Sequence, residues 1–243
     1  ESKEITFNFS TENKNIINGE IKTNDFPITY DNSLYFSFTK TEKINIYCIN
    51  EAIENKAINT LFSKDTALFN YSSANATNIN YNILKKQDLI VINELEQLSS
   101  GLLSELKSFS KNGGSIVVLP PQNPDFDTYN KMLSSLDLNT IAHAGSRIKL
   151  KINKLNLEHP IFKSVFKTKD NKLNYPTANS YYTIQKNQNS TSILTLENNK
   201  DFLVSYSKNK GIIYQFLSPI NTNANTFSKH ALFVPVLINI GTS

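Results

Sequence analysis

The chain changes its hydrophobic rhythm near residue 40. Before that point apolar residues alternate with polar ones, at Ile5, Phe7 and Phe9, then Ile21, then Leu34, Phe36 and Phe38. This is the period of a strand with one covered face. Asn18-Gly19 is the turn dipeptide expected between two such strands. Asp25 to Asn32 reads as a polar connector, with Pro27 holding the backbone extended. Residues 1–40 are therefore expected to form a β-hairpin extension, or the remnant of a preceding β domain.

From residue 41 the spacing is different. Ile44 to Ile49 is a near-continuous apolar run, as in a strand covered on both faces, and Ile53, Ala57, Ile58, Leu61 and Phe62 follow at helical spacing. A short strand is expected at Ala67 to Tyr71 and a second buried one at Asp88 to Asn93. The next helix runs from Ser99 to Lys111, with Ser99 or Ser100 as cap and Gly113-Gly114 as stop. A strand at Ser115 to Leu119 follows, then a helix over Asp127 to Leu136 capped near Asp125 or Asp127. Strands alternating with helices in this way imply a mostly parallel sheet. Residues 41–243 are thus expected to fold as an open three-layer α/β/α domain. The remainder is richer in β patterns, at Arg147 to Ile152, Ile193 to Leu196, Phe202 to Tyr206 and Ile212 to Leu217, with Lys208 to Gly211 as a turn. A last helix is expected to start near Asn225 and include Phe227, Ala231, Leu232 and Phe233, kinked at Pro235 unless that residue lies in its first turn.

Composition narrows the function classes. An apolar fraction of 39% and a charged fraction of 19% are those of a folded chain. The formal charge of +4 comes from lysines spread along the sequence, with Arg147 the only arginine, whereas nucleic-acid sites cluster their cations and favour bidentate arginine. A nucleic-acid partner is not expected. One cysteine, Cys48, excludes an internal disulfide and a cysteine-rich metal site; inside INIYCIN it reads as packing. No stretch approaches the roughly 20 apolar residues that cross a bilayer. The chain starts almost directly in a strand pattern and stops just after ALFVPVLINI, so it reads as an excised portion of a longer protein.

Open parallel sheets bind ligands at the carboxyl ends of their strands. Here those ends are Asn50-Glu51, Asn93-Glu94 and Pro120-Pro121-Gln122-Asn123. Together with His230, the residues Asn50, Glu51, Asn93, Glu94, Gln122 and Asn123 make the candidate binding surface. A hydrolase of this build needs a nucleophile on the turn after a central strand, a histidine in reach and backbone donors for the oxyanion. Pro120 and Pro121 supply neither nucleophile nor N–H. His143, His159 and His230 each have a bland reading as single hydrogen-bonding residues, and Glu51, Glu94 and Glu96 read as helix-terminal charges before they read as a cation site. Tyr181, Tyr182 and Phe126 form an aromatic platform for a sugar or peptide only if exposed. No catalytic residue, metal or cofactor is assigned.

The phrases DLIVINEL, SSGLLSELKSFSKNGGSIVVLPP, LNLEHPIFKSVF, GIIYQFLSPI and FSKHALFVPVLINI carry a family likeness. With DFPITYDNSLYFSF before them, the chain from Asp25 to Ile240 resembles the soluble portion of Bacteroidetes membrane proteins with a BatA-type double-transmembrane N-terminus and a class I glutamine amidotransferase-like domain. The resemblance implies a flavodoxin-like fold and attachment to membrane helices outside this sequence. It also marks two departures. Pro120-Pro121 stand where active amidotransferases carry their cysteine elbow, and Asn93-Glu94-Leu95 replace the glycine-rich oxyanion turn. Cys48 matches no nucleophile position.

The expected function is therefore a non-catalytic protein-interaction or structural domain of a membrane-anchored, periplasm-facing envelope protein, with other envelope or membrane proteins as partners. Two alternatives stay open. One is a hydrolase or amidotransferase-like enzyme using His230 or His159 with an unrecognised nucleophile, the other a small-ligand or glycan-binding domain.

Overall fold

A nine-stranded sheet organises the larger of two units, Glu1–Lys43 and Ile44–Ser243, into which the chain divides. The computed structural model describes residues 6, 16–23, 26–27, 30, 32–39, 42–144, 149–162, 174–185 and 188–242, without the side chains of 39, 143 and 144.

In the first unit β1 (Ile16–Lys22) pairs antiparallel with β2 (Ser33–Thr39). Asn18-Gly19 does not form the expected turn. It lies inside β1, where Gly19 faces Phe36 so closely that a Cβ would stand 2.2 Å from the ring. The missing side chain is what lets the aromatic ring lie across the strand. Ile17, Gly19 and Ile21 share a face with Phe38, Phe36 and Leu34, so the period-two pattern there is an apolar face. The strand expected at Ile5, Phe7 and Phe9 lies outside the described residues, as does Arg147.

The second unit begins with β3 (Ile44–Asn50), α1 (Lys56–Lys64), β4 (Phe69–Asn75), α2 (Tyr81–Leu84) and β5 (Leu89–Asn93). Next come α3 (Ser100–Lys111), β6 (Ser115–Leu119), α4 (Phe126–Ser135) and β7 (Thr140–Ala144). The chain continues through β8 (Leu150–Leu155), β9 (Thr177–Ala178), β10 (Tyr182–Gln185), β11 (Thr191–Leu196), β12 (Asp201–Lys208), β13 (Gly211–Phe216) and α5 (Phe233–Gly241). The sheet order is β4-β3-β5-β6-β13-β12-β11-β8-β9, and β7 and β10 form a separate antiparallel pair. Neighbours from β4 to β13 are parallel and those beyond are antiparallel, so only β12 and β8 run against the common direction. This is a mixed α/β fold with a mostly parallel central sheet.

Both faces of the sheet are covered, which explains the continuous apolar runs. Ile46, Cys48, Leu89, Val91, Val117 and Leu119 pack under α1 and α5. Their strand neighbours Tyr47, Ile49, Ile90, Ile92, Ile116 and Val118 pack under α2, α3 and α4. Helix starts follow side-chain caps: Asn55 for α1, Asn80 for α2, Ser99 for α3 and Asp125 for α4. Gly113 ends α3 at φ +111°, a backbone that side chains resist.

Some boundaries move. Ile53 precedes α1 and is 78% exposed, because Asn55 starts the helix after it. β4 begins and ends later than expected, paired along its length with β3. No single helix runs from Asn225. A 3-10 turn at Phe227–Lys229 precedes α5, whose first turn holds Pro235, where its missing N–H costs nothing.

Candidate functional site

The topology locates the crevice. From β3 the chain passes through α1 to β4 on one side, then returns across β3 to build β5 and β6 on the other. The strand order therefore reverses between β3 and β5, the switch point at which such sheets hold ligands. Their register puts Asn50, the last residue of β3, beside Asn93, the last of β5.

These two amides bridge the floor of the crevice. Asn93 Nδ2 donates to Asn50 Oδ1 at 3.0 Å and to the Ile53 carbonyl at 3.3 Å. Asn55 Nδ2 donates to Asn93 Oδ1 and to the Ile220 carbonyl, both at 3.2 Å, while its Oδ1 caps α1. Asn50 and Asn93 are buried, and Asn50 Oδ1 also accepts from the Asn55 N–H at 3.4 Å. Asn50 is thus an interior group that ties strands, helix and loop together, while Asn93, although buried, both joins this network and lines a cleft that it shares with Asn55 and Glu94. Cys48 lies beneath the two amides, wholly buried, its Sγ 3.5 Å from Asn50 Oδ1. Burial pushes its thiol up to about 12, which leaves no thiolate at neutral pH.

The corner after β6 is filled in another way. Pro120 and Pro121 are buried. Tyr182, 1% exposed, donates its hydroxyl to the carbonyls of Pro121 and Gln122 at 2.8 and 2.9 Å. Burial first, then the charges of Glu94 and Glu96, push this phenol up to about 12. Gln122 Oε1 accepts from Asn221 Nδ2 at 3.0 Å, and Asn123 is exposed. The aromatic platform is therefore not a surface: Tyr181 and Tyr182 are buried, and half-buried Phe126 meets Tyr182 edge-on with centroids 6.1 Å apart.

The side chains of His159 and His230 bond elsewhere than to these corners. His230 Nδ1 accepts from the Leu232 N–H at 3.1 Å, so its Nε2 carries the proton and donates to the Asn174 carbonyl. His159 lies next to a hydroxyl, with Nε2 3.2 Å from Ser205 Oγ. The Ile161 N–H, at 3.4 Å, occupies its Nδ1, so Nε2 again donates, and Ser205 accepts where a nucleophile would give up its proton. Both residues are buried, and burial holds the imidazole below its usual value. The side chain of His143 lies outside the described residues.

What stays open surrounds Glu94. Its φ of +62° is a left-handed backbone that glutamate rarely adopts. Its N–H donates to the Leu119 carbonyl at 3.0 Å, tying the end of β5 to the end of β6. The carboxyl is half-buried, and burial holds it above the usual carboxylate range. One cleft of about 340 Å³ lies on the side of Asn55, Asn221 and Ser228. Another, of about 590 Å³, lies on the side of Glu51, Glu96 and Pro121. Glu94 and Ile53 line both. His230 lines neither. Among the described residues no three His, Cys, Asp or Glu side chains are grouped to hold a metal ion, although Glu51, Glu94 and Glu96 share a cleft.

No protein-family model matches the chain. No curated protein matches it either. Solved structures do. A cytoplasmic protein of Salmonella typhimurium aligns over 94% of this chain and 95% of its own, with 13% identity and a TM-score of 0.60. A ThuA-like protein of Bacteroides uniformis aligns over 84% and 91%, with 13% identity and a TM-score of 0.55. A Thermoplasma acidophilum protein assigned as one component of GMP synthase aligns over 83% and 94%, with 9% identity and a TM-score of 0.52. At such identities the likeness speaks for architecture: the chain has the flavodoxin-like α/β fold shared by ThuA-like and glutamine amidotransferase-like proteins.

Proposed function

We propose that this chain is a non-catalytic docking domain of a membrane-anchored envelope protein of the BatA type, facing the periplasm. It binds other envelope or membrane proteins through the strand-end surface around Ile53, Glu51 and Asn123. The observation that supports this reading is that the floor of the switch-point crevice and the corner after β6 are both tied up in structural hydrogen bonds. The switch-point crevice is bridged by Asn50, Asn93 and Asn55, and the corner after β6 is proline backbone pinned by Tyr182. Membrane attachment rests on the family resemblance; among the described residues no helix is long and apolar enough to cross a bilayer.

Two measurements test it. Ammonia release from glutamine should stay at background, and turnover that disappears in Cys48→Ala would overturn the reading. A photo-crosslinking residue at Ile53 or Asn123 of the full-length protein in native membranes should give one discrete adduct, absent when the probe stands at Lys64. Adducts from Lys64 alone would remove the surface from consideration.

A second reading, a small-ligand site, draws on one feature: the half-buried carboxyl of Glu94 between two clefts. Binding of a hydroxyl-rich or amine ligand that is lost in Glu94→Gln would favour it over docking.

A further inference from the structure

At the opposite end of the sheet the chemistry is reversed. Helices run against the strands they cover, so α3 and α4 end where β13 begins, and the β12–β13 turn closes over them. Between these parts lies a pocket of about 200 Å³, with Leu106, Leu136 and Ile213 as apolar lining and Lys107, Lys111 and Lys208 as cations. Asp137 is the one carboxylate among the lining residues, so two positive charges are uncompensated there. Among the described residues these lysines form no ion pair; the pairs observed are Lys22–Glu20 and Lys85–Glu105. Lys208 is already oriented, its Nζ donating to the Asp137 carbonyl at 3.0 Å.

Lysines near a helix end have an ordinary explanation, since they complement the negative end of the dipole. Here that end is already closed. The N–H groups of Asn112, Gly113 and Gly114 return to carbonyls of Ser108, Phe109 and Ser110 at the end of α3, and those of Leu136, Asp137 and Leu138 do the same for α4. The dipole explanation also asks for no buried hydroxyl. Yet Ser110, 3% exposed, lines this pocket, and its Oγ is buried without a hydrogen-bond partner among the described residues. Such a group costs stability unless something pairs with it.

We propose that this pocket binds a phosphoryl dianion, as free phosphate or as a small phosphate monoester. Its charge matches the two uncompensated lysine charges, its oxygens accept from the ammonium groups and, once the buried hydroxyl turns into the pocket, from Ser110, and the apolar lining takes the carbon part of an ester. The site is independent of the docking surface and stands or falls without it.

The test is calorimetric titration of the whole chain with inorganic phosphate and, separately, glycerol phosphate, at low ionic strength against a chloride control. Saturable binding with Kd of about 1 mM or tighter is expected, weakening with salt. Lys107→Ala with Lys111→Ala, and Ser110→Ala alone, should each weaken it about tenfold. Lys64→Ala and Lys85→Ala should leave it unchanged. Ser110→Ala should meanwhile raise the unfolding midpoint, because it deletes an orphaned hydroxyl. A variant more stable yet weaker in binding separates ligation from folding. Tighter binding of the ester identifies a monoester as the ligand, and equal binding identifies phosphate. The proposal is overturned by the absence of saturation, by wild-type affinity in Ser110→Ala or the double lysine variant, or by equal losses in Lys64→Ala and Lys85→Ala.

Discussion

The corners after β5 and β6 are neighbours in one sheet, and they are built in opposite ways. After β6 the backbone is two prolines, buried, with a carbonyl held by Tyr182. After β5 it is Glu94, left-handed and half-buried, its carboxyl between two clefts. The first corner is packed and pinned. The second keeps a strained backbone and a poorly solvated carboxyl. Strain of this kind persists where surrounding structure holds it and is a pointer to use. A corner filled by proline on one strand leaves the neighbouring strand end open.

The comparison breaks most visibly at the filled corner. Tyr182→Ala removes a buried ring and leaves the Pro121 and Gln122 carbonyls without their donor, so a loss of about 3–5 kcal/mol is expected in chemical denaturation. Tyr182→Phe keeps the ring and should lose about 1–3 kcal/mol. A loss within about 0.5 kcal/mol for Tyr182→Ala, the range of an ordinary surface change, would mean that the corner does not depend on this anchor.

Asn93→Ala tests the crevice between the two halves. It removes the donor to Asn50 and Ile53 and the acceptor for Asn55. About 1–3 kcal/mol should be lost, whereas Asn123→Ala, on the exposed side of the same surface, should change stability by less than about 0.5 kcal/mol. Equal effects would erase the distinction between structural and presented amides.

Much of the parallel half was legible because its signals are local. Strands β3, β5 and β6 are buried on both faces and read as unbroken apolar runs, and the caps at Ser99 and Asp125 stand next to the helices they start. The pairing of β7 with β10 was not legible, since β7 is short and its partner lies some forty residues on. Asn18-Gly19 misled because a turn dipeptide also fits a strand in which an aromatic ring needs glycine beneath it. At the site, the strand ends were readable but their roles were not. Asn50 and Asn93 bond to each other 43 residues apart, and nothing in composition separates a structural amide from a binding one. One signal was available: both INIYCIN and LIVIN end in asparagine, and two parallel strands in register place those residues side by side. The backbone of Glu94 had no signal, because glutamate has no preference for the left-handed region.

Glu94 offers the smaller and more diagnostic effects. Glu94→Gly fits the left-handed backbone and removes the buried carboxyl, and should raise stability by about 1 kcal/mol. Glu94→Gln keeps the strain and removes only the titration, so the pair separates backbone from charge. Burial raises the folded-state pKa of Glu94 above its unfolded value. In the window above the unfolded pKa of 4.5 the native state therefore binds the proton more tightly than the unfolded chain. The contribution of Glu94 to stability is complete below that window and is lost as pH rises through the folded-state pKa. In Glu94→Gln this decline should disappear, so the difference in unfolding free energy between variant and wild type should widen from pH 4 to pH 7 in the variant's favour. A difference that stays constant with pH would mean that the carboxyl is solvated like any surface glutamate, and the contrast between the corners would reduce to backbone strain alone.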